Sequence, residues 1–293
     1  MKILLTGATG FLGNVIVNEL QADQIYTLAR SNCNILFDLK SGVPNLPIVD
    51  LVIHAAGKAH AESLNKQVEE YYDVNVNGTI NLLKGLESSL PKALVFISSV
   101  AVYGKENGTS IDETYPLAAN LPYGLSKVKA EKIITDWCQQ NNVICTIFRL
   151  PLVAGPNTRG NLRAMINGIK RGYYINIKNG EAKKSIVLAK DVAKIIRRSY
   201  DIGGVYNLTD GYHPSFKELS ILISKQLNKK PPISLPYLVI KIISYFGDIF
   251  GNLSPINSNK FKKITSDLTF DDSKARKFLD WNPTPVLNDF KVS

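Results

Sequence analysis

The sequence ILLTGATGFLG at residues 3–13 joins an apolar run to a helical pattern through three glycines. The apolar run predicts a buried strand, and the pattern after the glycines predicts a helix. Gly7 allows a sharp turn, Gly10 leaves room for a pyrophosphate beside the backbone, and Gly13 lets helix and strand pack closely. Because the helix start also offers free N–H groups, this segment predicts a dinucleotide site.

The size and composition are ordinary for a globular protein. The chain has 293 residues, of which 45% are hydrophobic and 20% charged. Cys33, Cys138 and Cys145 show neither a CxxC pair nor metal-ligand spacing, which predicts no metal site and favours buried thiols in a reducing compartment. Since the first strand begins at Ile3, we expect no signal peptide and a cytoplasmic location.

The net charge of +10 raises the question of an anionic partner. Lysines occur in scattered pairs, such as 183–184, 229–230 and 262–263, and no basic stripe is interleaved with aromatic residues. No zinc-finger spacing is present. We therefore predict no nucleic-acid partner.

Strands and helices alternate over the first half of the chain. Apolar runs predict strands, and helical patterns lie between them; the strands are 25–28, 51–57, 93–99 and 143–150, and the helices 71–86 and 123–139. This alternation predicts an α/β fold with a Rossmann-type, doubly wound parallel sheet. Ligands of such sheets bind beyond the C-terminal ends of the strands.

The pattern changes after Pro151, where turns, a basic helix near 162–170 and many prolines follow. We predict a dinucleotide-binding domain over 1–155, to which 185–212 return. Residues 156–184 and 213–293 are predicted to form a smaller α/β substrate-binding cap.

Residues 233–251 are strongly apolar but are interrupted by Pro236, Lys241 and Asp248. They are short for a helix that spans a bilayer. Two interpretations stay open, a packed helix of the cap and an interfacial helix that touches a membrane.

The sequence YGLSK at 123–127 predicts the chemistry. Tyr123 and Lys127 are four residues apart on one helix face. A phenol near the lysine ammonium and a nicotinamide cation is expected to have a lowered pKa, which suits proton transfer near neutral pH. Ser99, at the end of its strand, can donate a hydrogen bond to the same substrate oxygen. These three residues form a unit that moves a hydride and a proton between an alcohol and a ketone.

At this point the chain resembles the extended short-chain dehydrogenase/reductase family, in its nucleotide-sugar 4-epimerase and 4-ketoreductase branch. The matching motifs run in family order along nearly the whole chain: TGATGFLG at 6–13, HAAG at 54–57, NVNGT at 75–79, SSVAVYG at 98–104, YGLSK at 123–127, LPLVAGP at 150–156, and the late DSKA at 272–275 and LDWNP at 279–283.

The resemblance implies roles residue by residue. It implies that Ser99, Tyr123 and Lys127 are catalytic, that Ser99 and Tyr123 also contact substrate, and that Tyr123 and Lys127 also contact the cofactor. The other implied cofactor contacts are Gly7, Gly10, Phe11, Leu12, Gly13, Asp38, Leu39, Ala55, Ala56, Gly57, Asn75, Ser98, Pro151 and Val153.

Two departures from the family pattern affect these roles. Relatives that use NAD carry an acid after the second strand, whereas this chain has Arg30 and Ser31, which suit a 2′-phosphate. We therefore expect NADP(H) as cofactor, with NAD(H) as the alternative. Where the family has an arginine on the substrate diphosphate, this chain has Lys184; Arg163, beside Asn161, is the other candidate, and both cations could instead be surface charges.

The resemblance also limits the reaction. Sugar dehydratases carry Thr-Asp-Glu where this chain has Ser99-Val100-Ala101, so dehydration is disfavoured. We expect reduction of the 4-keto group of a UDP-4-keto-6-deoxy-N-acetylhexosamine in surface-polysaccharide synthesis. The alternatives are a UDP-sugar 4-epimerase, a reductase of a non-sugar or lipid-linked ketone, and a non-catalytic dinucleotide sensor. Helices 71–86 and 123–139 would form the four-helix interface of a homodimer, while composition equally allows a monomer.

Overall fold

The computed structural model describes residues 1–21, 23–59, 67–235 and 265–292. Seven strands form one parallel sheet, and six shorter strands pair outside it. In chain order the strands are β1 Lys2–Thr6, β2 Gln24–Ala29, β3 Ile35–Leu36, β4 Leu51–His54, β5 Ala93–Ser99, β6 Gly108–Ile111, β7 Ile144–Leu150, β8 Leu152–Ala154, β9 Asn176–Ile177, β10 Ile186–Leu188, β11 Gly204–Asn207, β12 Ser234–Leu235 and β13 Leu268–Phe270.

The helices cover both faces of the sheet and build the layer beside it. The α-helices are α1 Phe11–Glu19, α2 Gln67–Tyr72, α3 Gly78–Leu86, α4 Pro122–Gln140, α5 Gly160–Arg171, α6 Ala189–Ile195, α7 Phe216–Gln226, α8 Ser273–Leu279 and α9 Val286–Asp289. A π-helical turn at Asp73–Asn77 joins α2 to α3, and a 3₁₀ turn at Val100–Tyr103 follows β5.

The central sheet confirms the predicted fold class. Its order is β11-β7-β5-β4-β1-β2-β3, and all of its pairs are parallel. The chain runs outward from β1 to β3 and then returns to the other side of β1 with β4. The carboxyl ends of β1 and β4 are thus the point at which the winding reverses, and ligands of doubly wound sheets bind there.

Successive side chains of a central strand are buried on opposite faces of the sheet. Ile3 and Leu5 of β1 enter the core under α1 and α6, whereas Leu4 enters the core under α3 and α4. Both faces are apolar because helices cover both sides of the sheet, which explains the continuous apolar runs in the sequence. This packing fixes the strand ends from which the site is built.

A third core lies outside the sheet, where α5 packs against α7, β10 and α9. Two short parallel pairs support this layer, β8 with β10 and β9 with β12. The predicted division into a dinucleotide-binding unit and a cap stays a prediction. Residue 22 and residues 60–66, 236–264 and 293 lie outside the described chain.

The predicted helix over 233–251 falls mostly outside the described residues. Its first residues form β12, which pairs with β9, so the chain is extended and not helical at Ser234 and Leu235. Among the parts of the chain that the structure describes, no helix is long and apolar enough to cross a membrane.

Candidate active site

The three glycines after β1 differ in how much room a Cβ atom would have. Gly7 has a φ of +72°, and a Cβ there would lie 2.7 Å from Ala56 N; a Cβ at Gly13 would lie 2.2 Å from Gly7 O. At Gly10 the one close neighbour is Gly7 O, at 3.1 Å. Gly7 and Gly13 therefore permit close internal packing, while Gly10 leaves its outer side open to a ligand.

The start of α1 suits an anion. Gly10 is the N-cap and supplies no side-chain cap, and the Asn14 N–H donates to Gly10 O at 3.0 Å. The N–H groups of Phe11, Leu12 and Gly13 precede that bond and belong to the set that an α-helix cannot satisfy internally. These groups and the open side of Gly10 fit the diphosphate of a dinucleotide.

His54 links the glycine turn to the neighbouring strand and helix. Its Nε2–H donates to Thr79 Oγ1 at 2.9 Å, since the Thr79 hydroxyl itself donates to Asn75 O at 2.7 Å. On the other side of the ring, Nδ1 accepts from Thr6 Oγ1 at 2.7 Å, and that oxygen accepts from the Ala56 N–H. Burial lowers the pKa of His54 to about 3, so the ring is neutral and acts as a fixed link.

Asn75 lies in the π-helical turn and connects two parts of the site. Its Oδ1 accepts from the Lys58 N–H at 2.7 Å, and its Nδ2 donates to Ser126 Oγ at 2.9 Å. Ser126 in turn donates to the carbonyl of Tyr123 at 2.7 Å. The extra residue of a π turn is frequent at functional sites, and here it aims the amide at the first turn of α4.

The structure brings the three predicted catalytic residues together. Ser99 ends β5, where its Oγ accepts from the Ala101 N–H at 3.2 Å and forms a hydrogen bond with Tyr123. Tyr123 is in the first turn of α4, and its ring lies 5.8 Å from that of Tyr71. One turn further, Lys127 donates to the carbonyl of Ile97 in β5.

In the protein alone, burial raises the pKa of Tyr123, and the hydrogen bond with Ser99 opposes the rise. The expected lowering involves a nicotinamide cation as well as Lys127, so it stays a prediction. Lys127 is itself buried, and burial lowers its pKa to about 8, against an opposing effect of Glu131. The ammonium is thus partly desolvated and directed at a carbonyl, which leaves the phenol a poor acid without further positive charge.

A buried ion pair supports this end of β5. Arg149 of β7 contacts Glu131 of α4 at 2.7 Å, and the Ser98 hydroxyl donates to the same carboxylate at 2.5 Å. Arg149 also donates to the hydroxyl of Tyr103. The Ser98 hydroxyl is therefore committed to Glu131, so a cofactor contact at Ser98, which stays a prediction, would come from its backbone atoms.

The predicted adenosine end lies beyond β2. Arg30 and Ser31 are exposed, whereas Leu39 is buried against Gly78 of α3. The carboxylate of Asp38 accepts from the Lys40 N–H at 3.0 Å. Nearby, Glu70 pairs with Lys58, and its pKa is lowered by that bond and by the charges of Lys40 and Arg30. Several cations therefore surround this end of the cleft.

The remaining predicted residues lie on the other side of the sheet ends. Pro151 and Val153 are half-buried at the junction of β7 and β8, and Asn161 and Arg163 are exposed in the first turn of α5. Lys184 is partly buried and donates to Ser266 O at 2.9 Å, and burial lowers its pKa. Of the two candidate cations for a diphosphate, Arg163 is the more accessible.

Sequence reasoning missed the supporting polar network. His54 is part of the HAAG motif, but its supporting role was not predicted. Glu131 lies four residues after Lys127, so helical spacing could have indicated that the two share a face of α4. The partners of His54 and Glu131 are distant in sequence and had no local signal. Within the described ranges no group of three or more His, Cys, Asp or Glu residues could hold a metal ion.

Comparison with known proteins gives the same assignment along most of the chain. The model of the NAD-dependent epimerase/dehydratase family matches residues 3–208. One relative is the N-acetyl-alpha-D-glucosaminyl-diphospho-ditrans,octacis-undecaprenol 4-epimerase of Escherichia coli O157:H7, which is 29% identical over 94% of this chain and 88% of that protein. The UDP-glucose 4-epimerase of Vibrio cholerae is 28% identical over 98% and 92% of the two chains.

Among solved structures, the UDP-N-acetylglucosamine 4-epimerase from Bacillus cereus superposes with a TM-score of 0.74. The superposition covers 98% of this chain and 92% of the Bacillus cereus chain, and the two sequences are 21% identical. That likeness concerns the fold. The family match over residues 3–208 includes the glycine turn and the Ser–Tyr–Lys set described above. The chain belongs to the NAD-dependent epimerase/dehydratase family and is an enzyme of that type.

Proposed function

We propose that the chain is a sugar 4-epimerase that acts on a nucleotide-linked sugar. One observation carries the proposal: Ser99, Tyr123 and Lys127 converge at the end of β5, while the next residues, Val100 and Ala101, are apolar. The site thus holds a proton relay for an alcohol and a ketone but no carboxylate at these positions to remove water. The near full-length similarity to two sugar 4-epimerases supports this choice over the reductase expected from sequence.

The residues of the chain would divide the proton chemistry among them. A bound nicotinamide dinucleotide supplies reversible hydride transfer at the sugar C4. The Tyr123 oxygen takes the proton of the C4 hydroxyl and returns it after the sugar has turned. Ser99 holds the C4 oxygen by a hydrogen bond, and the Lys127 ammonium favours the phenolate.

The test incubates the protein with catalytic NAD or NADP and, separately, UDP-glucose, UDP-N-acetylglucosamine and undecaprenyl-diphospho-N-acetylglucosamine. We expect at least one UDP-sugar to interconvert with its 4-epimer without net change in reduced nicotinamide, as measured by chromatography and NMR. Tyr123→Phe should abolish the reaction, whereas the exposed control Lys132→Met should not. Absence of a 4-epimer from both UDP-sugars with either dinucleotide would reject the proposal, including the case in which only the undecaprenyl-linked sugar reacts.

A second candidate is a 4-ketoreductase of a UDP-4-keto-6-deoxy-N-acetylhexosamine. The specific observation in its favour is that Arg30 and Ser31, with no acid, follow β2 and are exposed. A reductase would oxidise NADPH in proportion to the keto sugar added, and its product would not return to the ketone while NADPH is in excess. This stoichiometry separates it from an epimerase.

The cofactor proposal is NADP(H), with NAD(H) as the alternative. An arginine beside the ribose binds a 2′-phosphate through charge-assisted hydrogen bonds. We expect Arg30→Ala to weaken NADPH binding by about tenfold or more and to leave NADH binding nearly unchanged. Lys105→Ala, which removes an exposed cation elsewhere, is the control. Equal NADPH affinity in both variants would contradict the proposal.

The proposal also covers the substrate contacts, the substrate class, the location of the protein and its partners. We propose Asn161, Arg163 and Lys184 as substrate contacts, a UDP-linked substrate of surface-polysaccharide synthesis, a cytoplasmic location, a homodimer and a peripheral membrane contact. We also propose the cofactor contacts that the resemblance implies, with Ser98 contributing backbone atoms. Substitution of Arg163 by alanine should raise the KM for the sugar diphosphate with little change in kcat.

A further inference from the structure

The net positive charge of the chain is concentrated in one layer, because basic and acidic residues nearly balance elsewhere. Residues 159–178 and 217–235 carry nine Lys or Arg residues and one acid, Glu218, whereas the rest of the chain carries 26 basic and 24 acidic residues. These two segments contain α5, β9, α7 and β12, which pack together. Eight of the ten net positive charges thus lie in a single layer.

One end of this layer also exposes apolar side chains. Tyr173 is 62% exposed, Ile175 is 44% exposed and Ile233 is 73% exposed. The Asn176 N–H donates to Ile233 O at 2.9 Å, so Ile233 lies beside the strand that begins after Ile175. These three residues form one exposed apolar cluster.

The cations adjoin that cluster. Asn176 bonds Ser220, while Gly180 lies against Lys217, so β9 and its following turn run antiparallel to α7. Tyr173 and Ile175 are therefore near the C-terminal end of α7. The exposed Lys229 and Lys230 follow that end of α7, and the exposed Lys170 and Arg171 end α5 directly before Tyr173.

We propose that this basic apolar face, formed by Tyr173, Ile175 and Ile233 with Lys170, Arg171, Lys229 and Lys230, docks on an anionic lipid bilayer. Clustered cations attract anionic head groups, and exposed aromatic and aliphatic side chains enter the boundary between head groups and acyl chains. A nucleic acid would use the cations but would gain little from Ile175 and Ile233. The inference rests on the peripheral contact included in the proposed function, and it supplies the surface and the lipid class.

The face is separate from the residues proposed for substrate. Asn161 and Arg163 are in the first turn of α5, whereas Lys170 and Arg171 are in its last turn. Docking would thus leave the first turn of α5 uncovered. The sequence after Leu235 enters the apolar stretch at 236–251, whose structure lies outside the described residues.

The experiment is vesicle flotation of the full chain without substrate, so that its outcome does not depend on turnover. Phosphatidylcholine vesicles are compared with vesicles that also contain phosphatidylglycerol, at low and high salt. We expect flotation with the anionic vesicles that weakens with salt. Lys229→Glu/Lys230→Glu should lower the partition coefficient by about tenfold or more. Tyr173→Ser/Ile233→Ser should also lower it, including at high salt.

The control is Lys190→Glu/Lys277→Glu, which makes the same charge change at two exposed lysines outside the face. We expect this pair to bind within about twofold of the wild type. Thermal melting and dinucleotide titration verify that each variant is folded. Absence of binding to anionic vesicles, an equal loss in the control pair, survival of binding in both face variants, or preference for a DNA duplex over the vesicles would each overturn the proposal.

Discussion

Replacing Lys127 by methionine is expected to stabilise the folded chain at neutral pH while it abolishes turnover. The side chain is 6% exposed, and burial lowers its pKa from 10.5 to about 8. One pKa unit corresponds to about 1.4 kcal/mol, so the charged form costs the folded state about 3 kcal/mol at pH 7. Methionine has a similar length and carries no charge into the core.

An opposing effect reduces this gain. The Lys127 Nζ donates to Ile97 O at 2.8 Å, and methionine would leave that carbonyl without this donor. Such a loss costs about 1 to 2 kcal/mol. The net expectation at pH 7 is therefore a variant that is more stable than the wild type by about 1 to 2 kcal/mol.

The pH dependence gives the sharper test. Between about pH 8 and 10.5 the folded chain has released the Lys127 proton while the unfolded chain still holds it. Because the unfolded state binds more protons, the wild type gains stability over this window, whereas the variant gains nothing from this site. Near pH 10.5 the neutral amine still donates to Ile97 O, so the wild type should become the more stable of the two.

Urea unfolding of both proteins at neutral and alkaline pH measures these differences. Lys132→Met is the matched control, since Lys132 is exposed and pairs with Asp136 on the same helix. The control should show no such reversal with pH. The reasoning would be refuted by a Lys127→Met variant whose stability difference from the wild type does not change between pH 7 and pH 10.5.

Three further predictions concern the site and its support. Tyr123→Phe should reduce turnover by about 10²–10⁴-fold and leave dinucleotide affinity intact, as measured by fluorescence titration; unchanged turnover would exclude the phenol as the proton carrier. Gly13→Ala should destabilise the chain by about 1 to 3 kcal/mol and weaken dinucleotide binding, because its Cβ would lie 2.2 Å from Gly7 O, whereas Gly10→Ala, with its Cβ 3.1 Å from the same oxygen, should weaken binding with a smaller loss of stability. Glu131→Gln should cost about 3 kcal/mol in urea unfolding, since it leaves buried Arg149 without its carboxylate, and adding Arg149→Met should restore part of that loss; additive losses would contradict this pairing.

The features that sequence could predict are local ones. The glycine turn has its strand, its turn residues and its helix within residues 2–19, and spacing alone fixes how they follow one another. Likewise, Tyr123 and Lys127 share a helix face because they are four residues apart. The apolar runs that alternate with helical patterns also sufficed to predict the parallel sheet, since the runs of β1, β4 and β5 are buried on both faces.

The features that sequence missed depend on pairs distant in the chain. His54 reaches Thr6 across 48 residues and Thr79 across 25, and neither threonine has a local pattern that marks it as a partner. The family resemblance implied Ser98 as a cofactor contact. Its commitment to Glu131 follows only from how α4 packs on β5.

These distant links explain why the same framework could serve either an epimerase or a reductase. The hydrogen bonds of Asn75 connect the first turns of α4 to the segment after β4, and those of Glu131 hold the middle of α4 against β5 and β7. Together they fix Tyr123 relative to Ser99 before any sugar binds. Such preorganisation favours proton transfer in either direction. It would therefore serve a reductase, which transfers one hydride, and an epimerase, which transfers two. These links therefore do not decide between the two reactions. The proposed stoichiometry of NADPH oxidation, with the Arg30→Ala titration beside it, is what separates an epimerase from a reductase.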